Sequence, residues 1–343
     1  YSGAVTCSVG EGEAETVISR FVPGDLFGYE MLGNEASWQA TAVADGQVLV
    51  RHHYLSLDPY MRGRMDESKS YAASQQIDEV MIGGTVGEVA ASKNPHFAVG
   101  DKVVGMGGWQ LYGVSDGRDI KKIPVAGVPI QAFIGALGMP GVTAWYGVHK
   151  ILMPKAGQTL VVSAATGAVG TVVGQLAKAM GARAVGIAGG AEKCAYAVNE
   201  LGFDACVDHR SPSFAADLKA ATPNGVDCLF ENVGGEPFRL VSRRLNDFAR
   251  VAICGLIASY EGAETSRLDD LRILLVKRAS IQGFIVSDHP QLWPQAIAEL
   301  AALAQAGKLK WRETIAEGLE SAPDAFFGLL KGRNFGKQLV KLI

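Results

Sequence analysis

The hydrophobic pattern is sharpest in the middle of the chain, where an apolar run at 159–163 gives way to small residues and glycines at 164–170. After the glycines, apolar residues recur at helical spacing: Val172, Val173, Leu176, Ala177 and Met180. This order predicts a strand, a tight turn and a helix. The turn at 165–170 follows the glycine pattern of dinucleotide-binding loops, with alanine in the first place, so its backbone can approach a pyrophosphate at a helix N-terminus.

A second short apolar strand is predicted within 181–190, which gives residues 159–188 the length of one βαβ unit. In units that bind NAD, this strand usually ends in an acid that binds the ribose 2′-hydroxyl, but Gly189 and Gly190 stand here and Lys193 follows. Without that acid, nothing repels a 2′-phosphate, and Lys193 supplies a positive charge, which favours NADP over NAD. The alternative is that Lys193 is a solvated lysine in the first turn of the next helix.

Strands and helices alternate around this unit, from about residue 131 to residue 307. Apolar strand patterns stand at 226–231, 249–254 and 281–286, and helical patterns at 238–245 and 292–306. Such alternation predicts an α/β fold: a doubly wound parallel sheet of the Rossmann type, with helices on both faces.

The two ends of the chain show short strands and glycine turns instead. Strands are predicted at 47–53, 82–91, 102–106 and 337–343. The last of them follows a predicted helix with Ser321 as its N-cap. The sequence therefore predicts a β-rich substrate and catalytic domain made of residues 1–130 and 311–343, and an NADP-binding domain at 131–310 inserted into it.

The length, composition and net charge of the chain exclude several classes of function. A chain of 343 residues exceeds the length at which one core usually stops growing, and 48% hydrophobic residues with 42 glycines suit an α/β protein with many turns. A net charge of −3 provides no general attraction to nucleic acid or to an anionic membrane. The apolar runs are shorter than a membrane span, and no signal pattern is present at the N-terminus. We expect a cytoplasmic protein with no nucleic-acid or membrane partner.

The five cysteines are scattered singly in mostly apolar surroundings, at positions 7, 194, 206, 228 and 254. We expect them to be buried and reduced, without a disulfide framework. Cys206 and His209 are close in sequence but lack a third ligand nearby, and the adjacent His52 and His53 would point to opposite faces of a strand. No bound metal is expected.

Seven stretches in order along the whole chain carry a family resemblance. They are 54–65 (YLSLDPYMRGRM), 138–145 (GMPGVTAW), 164–170 (AATGAVG), 231–236 (ENVGGE), 250–260 (RVAICGLIASY), 283–286 (GFIV) and 332–338 (GRNFGKQ). The chain resembles the zinc-independent medium-chain dehydrogenase/reductases. Within them it resembles the NADPH-dependent double-bond reductases, which include leukotriene and prostaglandin reductases, plant alkenal reductases and bacterial curcumin reductase. The resemblance implies a Rossmann sheet inserted into a GroES-like β-rich domain.

The resemblance also implies a reaction, in which NADPH gives a hydride to the β-carbon of an α,β-unsaturated ketone or aldehyde. Negative charge then collects on the carbonyl oxygen as an enolate, and that oxygen needs a hydrogen-bond donor. The family's tyrosine matches Tyr260, which we expect at the end of a central strand of the nucleotide domain, assisted by a ribose hydroxyl of the cofactor. The alternative is a tyrosine that packs at a strand end with its hydroxyl in water.

The resemblance implies cofactor contacts in most of the same motifs. They are Gly167, Ala168, Val169 and Gly170 at the pyrophosphate, Lys193 and His209 at the 2′-phosphate, Asn232 after its strand, Cys254, Gly255, Ile257, Ser259 and Tyr260 along the nicotinamide, Phe284, Ile285 and Val286 beside its ring, and Asn334 in the closing segment. His209 stands where relatives place a tyrosine, and when protonated it would bind phosphate more tightly. Asp208 beside it acts in the opposite direction, so the strength of the NADPH preference stays open.

On the substrate side, Tyr54 matches a tyrosine that lines the pocket in relatives, and Tyr60 and Met61 stand in the turn that approaches it. A second pocket tyrosine of plant relatives has no match, because 74–81 occupies that region with different chemistry. The family habit implies a homodimer.

Three other interpretations fit parts of the sequence. A quinone reductase of the same superfamily would use the same cofactor and a different acceptor, and a non-catalytic NADPH-binding protein would keep only the cofactor site. Tyr146 and Lys150 have the Y-x-x-x-K spacing of short-chain dehydrogenases, but they precede the glycine loop, which favours a coincidence on a helix surface.

Overall fold

The computed structural model describes residues 5–9, 16–21, 43–67, 70–123, 127–260 and 266–343. The expected burial of Cys7 lies outside the described side chains. The strands are β1 (Val5–Val9), β2 (Thr16–Phe21), β3 (Val48–Ser56), β4 (Thr85–Ser92), β5 (Lys102–Gly105), β6 (Tyr112–Ser115), β7 (Ile120–Lys122), β8 (Thr159–Ser163), β9 (Arg183–Ala188), β10 (Ala205–Asp208), β11 (Val226–Glu231), β12 (Leu245–Ile253), β13 (Ser280–Gly283), β14 (Glu313–Glu317) and β15 (Lys337–Lys341).

Helices connect most of the later strands. They are α1 (Tyr60–Arg64), α2 (Met139–Tyr146), α3 (Gly170–Ala179), α4 (Ala191–Asn199), α5 (Phe214–Ala221), α6 (Gly235–Ser242), α7 (Arg272–Lys277), α8 (Trp293–Gln305) and α9 (Ala322–Leu330). A π-helical turn, Gly147–Leu152, directly follows α2. Among the residues that the structure describes, no helix has both the length and the apolar character needed to cross a bilayer.

Strands β8 to β13 form one six-stranded parallel sheet in the order β10-β9-β8-β11-β12-β13. Its central strands are buried on both faces, which explains why β8 and β9 read as continuous apolar runs instead of alternating ones. The strand order turns back between β8 and β11, where a doubly wound sheet opens its ligand crevice. The predicted α/β fold of the Rossmann type is confirmed.

The second large sheet takes strands from both ends of the chain, in the order β14-β15-β3-β4-β5-β7, with β6 pairing β3. Among its described strands, β14 and β15 run parallel and the other pairs are antiparallel. Because β15 lies between β14 and β3, the chain returns to its first sheet after completing the parallel one. The predicted boundaries at 131 and 310 fall in the two connections between these sheets and stay predictions.

Several local predictions differ from the structure at their ends. The strand expected at 281–286 ends at Gly283, because a 3₁₀ turn begins at Val286. The strand expected at 249–254 begins earlier, at Leu245. Ser321 does precede α9, but its hydroxyl donates to the carbonyl oxygen of Gly318 and leaves the helix N–H groups uncapped by its side chain.

Candidate functional site

The predicted pyrophosphate residues form the turn between β8 and α3. Ala164 adopts a positive φ of 50°, and the N–H of Gly167 donates to the carbonyl oxygen of Ala164 at 2.9 Å. A Cβ at Gly170 would lie 2.2 Å from that same oxygen, so only glycine allows the helix to start this close to the strand end. Gly167, Ala168 and Val169 are partly exposed at the N-terminus of this ten-residue helix. The helix dipole and free N–H groups favour an anion there.

Three basic side chains meet at the end of β9. A Cβ at Gly189 would lie 2.9 Å from His209 Nε2 and 3.0 Å from Arg210 Nε, so both side chains pack over this glycine. Lys193, in the first turn of α4, is half-buried and donates from Nζ to the carbonyl oxygen of Gly332 at 2.8 Å. Burial and the nearby Arg210 lower the pKa values of both Lys193 and His209. The alternative of a fully solvated Lys193 does not fit this packing.

Asp208, which we expect to weaken phosphate binding, has a structural role as well. Its Oδ1 accepts hydrogen bonds from the backbone N–H groups of Gly190 and Arg210, each at 2.9 Å. These two bonds hold the pKa of Asp208 below its ordinary value. Asp208 therefore ties the end of β10 to the start of α4 and shapes the turn that carries the basic residues.

Asn232 joins the ends of two neighbouring strands. Its side-chain amide donates to the carbonyl oxygen of Ser163 at 2.8 Å, and its backbone N–H donates to the Ser163 hydroxyl at 2.8 Å. The backbone N–H groups of Cys254 and Gly255 in turn bond the carbonyl oxygen of Glu231. The predicted nicotinamide residues after β11 and β12 are thus brought together at one edge of the sheet.

The sequence predicts Tyr260 at the end of a central strand, and the structure places it elsewhere. It follows the 3₁₀ turn Ile257–Ser259, seven residues beyond β12, and β12 is the fifth of the six strands. The turn folds back over the strand end, because a Cβ on Gly255 would lie 3.7 Å from the Tyr260 hydroxyl oxygen. Burial, with a smaller effect of the neighbouring Tyr71, raises the pKa of Tyr260, so its phenol stays protonated at neutral pH.

Phe284, Ile285 and Val286 follow the next strand end. The centre of the Phe284 ring lies 5.4 Å from the centre of the Tyr146 ring. The Tyr146 ring also stacks on the His289 ring, with their centres 4.4 Å apart, and the Tyr146 hydroxyl forms a hydrogen bond with His289 Nε2 at 2.7 Å. The Tyr146 side chain is buried, so its expected place on a helix surface was wrong. Its hydroxyl is engaged by His289, whereas the ammonium of Lys150 lies over the Trp145 ring, so the two residues do not act as a tyrosine–lysine pair.

The predicted substrate residues separate into two groups. Tyr54 and Tyr60 are partly buried, and burial with the nearby Asp58 raises the pKa of Tyr60. Met61 is fully buried in a cluster with Leu55 and other side chains of the β-rich domain, and it offers no surface to a ligand. It supports the turn from beneath.

One residue that the sequence did not single out acts electrostatically on two of the predicted tyrosines. Burial is the main cause of the raised pKa values of Tyr60 and Tyr260, and Tyr71 adds a smaller effect in the same direction to each, after Asp58 in the case of Tyr60. Tyr71 is 62% exposed, and the guanidinium of Arg64 lies 5.7 Å from its ring centre. The sequence offers one signal for Tyr71, an aromatic residue within a polar loop. No sequence pattern relates that loop to Tyr260.

Asn334 lies in the closing segment between Gly332, which holds Lys193, and β15. Its side-chain amide donates to the carbonyl oxygen of Gly336 at 2.7 Å. The next ring, Phe335, has the Arg312 guanidinium 4.0 Å from its centre and the Lys193 ammonium 6.0 Å away. The C-terminal segment therefore borders the basic end of the crevice.

Two family models match the chain. One described as "N-terminal domain of oxidoreductase" matches residues 35–123, and one described as "Zinc-binding dehydrogenase" matches residues 168–302. Within the described part of the chain, no group of three or more His, Cys, Asp or Glu side chains could hold a metal ion. The expectation that no metal is bound stays a prediction.

Individual proteins match over most of their length. The NADPH-dependent curcumin reductase of Escherichia coli is 46% identical over 304 residues, 87% of this chain and 88% of that protein. The 2-alkenal reductase (NADP(+)-dependent) of Nicotiana tabacum is 41% identical over 296 residues, 85% and 86% of the two chains. The crystal structure of CurA in complex with NADPH from Vibrio vulnificus is 46% identical, with a TM-score of 0.84, and the match covers 90% of this chain and 93% of that one.

The parallel sheet, the glycine loop and these likenesses define an NADPH-dependent oxidoreductase. The chain belongs to the double-bond reductase branch of the medium-chain dehydrogenase/reductases, the group that contains the curcumin, alkenal and prostaglandin reductases.

Proposed function

We propose that the protein reduces the carbon–carbon double bond of α,β-unsaturated ketones or aldehydes, as a 2-alkenal reductase type of enzyme. The observation that carries this proposal is the protonated phenol of Tyr260 at the carboxyl edge of the parallel sheet, beside the expected nicotinamide residues. Names of relatives, a curcumin reductase and a 2-alkenal reductase, support the same acceptor class.

The cofactor cradle fits NADPH in its charge distribution. The N-terminus of α3 suits the pyrophosphate, and Lys193 and Arg210 provide positive charge for a 2′-phosphate where an acid would favour NADH. His209, beside them, adds to that charge when it is protonated. The remaining contacts are proposed for Asn232, Cys254, Gly255, Ile257, Ser259, Phe284, Ile285, Val286 and Asn334. When bound, NADPH supplies the hydride for the β-carbon and, through a ribose hydroxyl, a second hydrogen-bond donor.

The chain itself contributes one catalytic group, and that group is a hydrogen-bond donor. The Tyr260 hydroxyl donates a hydrogen bond to the carbonyl oxygen of the substrate, and this bond strengthens as negative charge develops on that oxygen. The phenol must keep its proton to donate this bond, and burial, which raises the pKa of Tyr260, keeps it protonated at neutral pH. Its location at a partly buried turn reduces competition from water.

Tyrosines form the proposed substrate wall. Tyr54 and Tyr60 come from the β-rich domain, and Tyr71 acts electrostatically on both Tyr60 and Tyr260. Flat aromatic side chains suit flat conjugated molecules, because stacked or edge-on ring contacts add to the burial of apolar surface. We therefore propose conjugated enones and enals, with Met61 acting only through its packing under the turn.

A spectrophotometric assay tests this proposal against both alternatives. NADPH oxidation is followed with an enone, an enal and a quinone, each with and without a chelator. Turnover of the enone or enal that a chelator leaves unchanged supports a metal-independent double-bond reductase. Turnover of the quinone alone would identify a quinone reductase, and NADPH binding without turnover of any acceptor would identify a non-catalytic binding protein.

We also propose a homodimer in which a second copy covers the β13 edge. β13 ends the parallel sheet, so in the described part of the chain its outer edge lacks a strand partner. Phe248, on the neighbouring strand β12, is 66% exposed, and Leu271 and Leu275, at the helix α7 that precedes β13 in the chain, are 72% and 77% exposed. An open edge next to apolar side chains fits a two-fold contact between identical chains. The cytoplasmic location stays a prediction.

A further inference from the structure

Glu231 is a buried carboxyl that neither the reaction nor the cofactor charge explains. It ends β11 in the middle of the parallel sheet and has no exposed surface. Its Oε1 accepts hydrogen bonds from the Ser163 hydroxyl at 2.6 Å and from the N–H groups of Val233 at 2.6 Å and Gly234 at 2.8 Å. Among the described residues its Oε2 is buried without a hydrogen-bond partner. Burial raises the pKa of Glu231, although its donors act in the opposite direction.

One side of this carboxyl leads to the cofactor loop. Ser163 is the last residue of β8, directly before Ala164 with its positive φ. The Ser163 hydroxyl donates to Glu231 and accepts the Asn232 N–H, while the Ser163 carbonyl accepts the Asn232 side-chain amide at 2.8 Å. The position of the strand end from which the pyrophosphate turn starts is thus set by the Glu231 side chain.

The other side leads to the catalytic tyrosine. The three residues 231–233 accept backbone hydrogen bonds from the segment that carries Tyr260: the Glu231 carbonyl from Cys254 at 2.9 Å, the Asn232 carbonyl from Ile257 at 3.3 Å, and the Val233 carbonyl from Ala258 at 3.0 Å. The Glu231 side chain fixes residues 233 and 234 through their N–H groups. The turn before Tyr260 therefore rests on a segment that this carboxyl shapes.

We propose that Glu231 is a positioning residue that sets the Tyr260 turn and the cofactor loop in register with each other. A shift of about 1 Å in a catalytic group can lower a rate by about a hundredfold. A buried residue that contacts neither substrate nor cofactor can therefore change kcat by positioning that group. The proposal rests on the proposed function only in taking Tyr260 as the donor.

The experiment compares Glu231→Val with Glu231→Gln and with Leu229→Ala. Leu229 lies on the same strand and is fully buried in another hydrophobic cluster, so its truncation weakens β11 without touching the Glu231 network. We expect Glu231→Val to lower kcat with an enone by about ten- to a hundredfold and to raise the Kd for NADPH. Glu231→Gln keeps an acceptor for all three donors and should retain most of the turnover. Leu229→Ala should lower the melting temperature with kcat preserved.

A double-mutant cycle with Tyr260→Phe separates positioning from general stability. Once the hydroxyl is gone, its misplacement has no further cost, so Glu231→Val should barely change kcat in the Tyr260→Phe background while still weakening NADPH binding. Independent, multiplicative losses of kcat in the two variants would overturn the proposal, as would a Glu231→Val enzyme that loses only thermal stability. If that variant does not fold, Ser163→Ala breaks the bond between Glu231 and the strand end that starts the cofactor loop and keeps the bonds to Val233 and Gly234. An unchanged Kd for NADPH in Ser163→Ala would then overturn the proposal. An unchanged kcat in Tyr260→Phe alone would instead contradict the proposed function.

Discussion

Lys193 Nζ donates a hydrogen bond to the carbonyl oxygen of Gly332, 2.8 Å away and 139 residues further along the chain. Gly332 needs its positive φ of 64° for the turn after α9, and it brings the closing segment against the basic end of the crevice. A neutral carbonyl satisfies only one of the three ammonium donors. The ammonium thus keeps donors for an anion while its direction is set by a segment from the other end of the chain.

The first prediction concerns Lys193→Ala. A hydrogen bond to a charged group contributes about 1.5–3 kcal/mol, so the Kd for NADPH should rise by about ten- to a hundredfold, with the Kd for NADH nearly unchanged. Fluorescence titration with both cofactors measures the ratio. Lys331→Ala removes an exposed charge next to Gly332 and serves as the control. Equal losses for NADPH and NADH would rule out a 2′-phosphate contact.

The second prediction concerns the pH dependence of NADPH binding. Burial and Arg210 hold the pKa of His209 below 6.5, so the free protein carries a neutral imidazole at pH 7. A bound phosphate favours the imidazolium and raises that pKa, so binding takes up a proton and His209 strengthens it as the pH falls. The Kd ratio of His209→Gln to wild type should therefore grow from pH 8 to pH 5.5. Taking this ratio cancels the titration of the phosphate itself, and a constant ratio would refute the contact.

The third prediction concerns Tyr260→Phe, which removes the donor and keeps the ring. We expect kcat with an enone to fall by about ten- to a thousandfold, the range for losing one donor to a developing oxyanion, with little change in the Kd for NADPH. Steady-state NADPH oxidation measures it. Tyr112→Phe makes the same chemical change at an exposed position on β6 and should keep its activity. Near-normal turnover in Tyr260→Phe would remove the tyrosine from the mechanism.

The fourth prediction concerns the buried ion pair that supports the turn before Tyr60. Lys337, on β15, is 4% exposed and donates to Asp58 Oδ1 at 2.8 Å and to the Leu57 carbonyl at 2.6 Å. Lys337→Met leaves a buried carboxylate unpaired, so the free energy of unfolding should fall by about 3–5 kcal/mol. Urea denaturation measures the loss, and adding Asp58→Asn should restore part of it.

A matched control for the ion pair lies on the same strand. Lys341 pairs with the exposed Glu317 at 3.5 Å, and a solvated pair of this kind contributes about 0–1 kcal/mol. Lys341→Met should therefore change the unfolding free energy little. Similar losses for the two lysine variants would show that burial of the pair does not matter.

The fifth prediction concerns the proposed dimer. Leu275→Glu places a charge among exposed apolar side chains next to the β13 edge, which should convert dimers to monomers in light scattering. Val99→Glu makes the same kind of change at a residue that is 68% exposed in the other sheet's domain and should leave the assembly intact. A wild-type protein that is monomeric at high concentration would end this proposal.

Local structure could be predicted from the sequence wherever a single short segment determines it. The strand predicted at 226–231 matches β11 at both ends, and the turn at 164–170 has the strand–turn–helix form expected of it. The same holds for Lys193, which lies in the first turn of α4. In each case short-range sterics and apolar spacing decide the outcome, and these depend only on neighbouring residues.

The amino-acid sequence by itself determined the class of fold, the location of the cofactor loop and the residue types available for catalysis. The tertiary structure alone decided which of them meet: Glu231 between Ser163 and the Tyr260 turn, Met61 inside the core and Lys193 on Gly332. The physical reason is distance along the chain. Contacts between segments tens or hundreds of residues apart depend on how strands order and helices pack, and no local pattern records that.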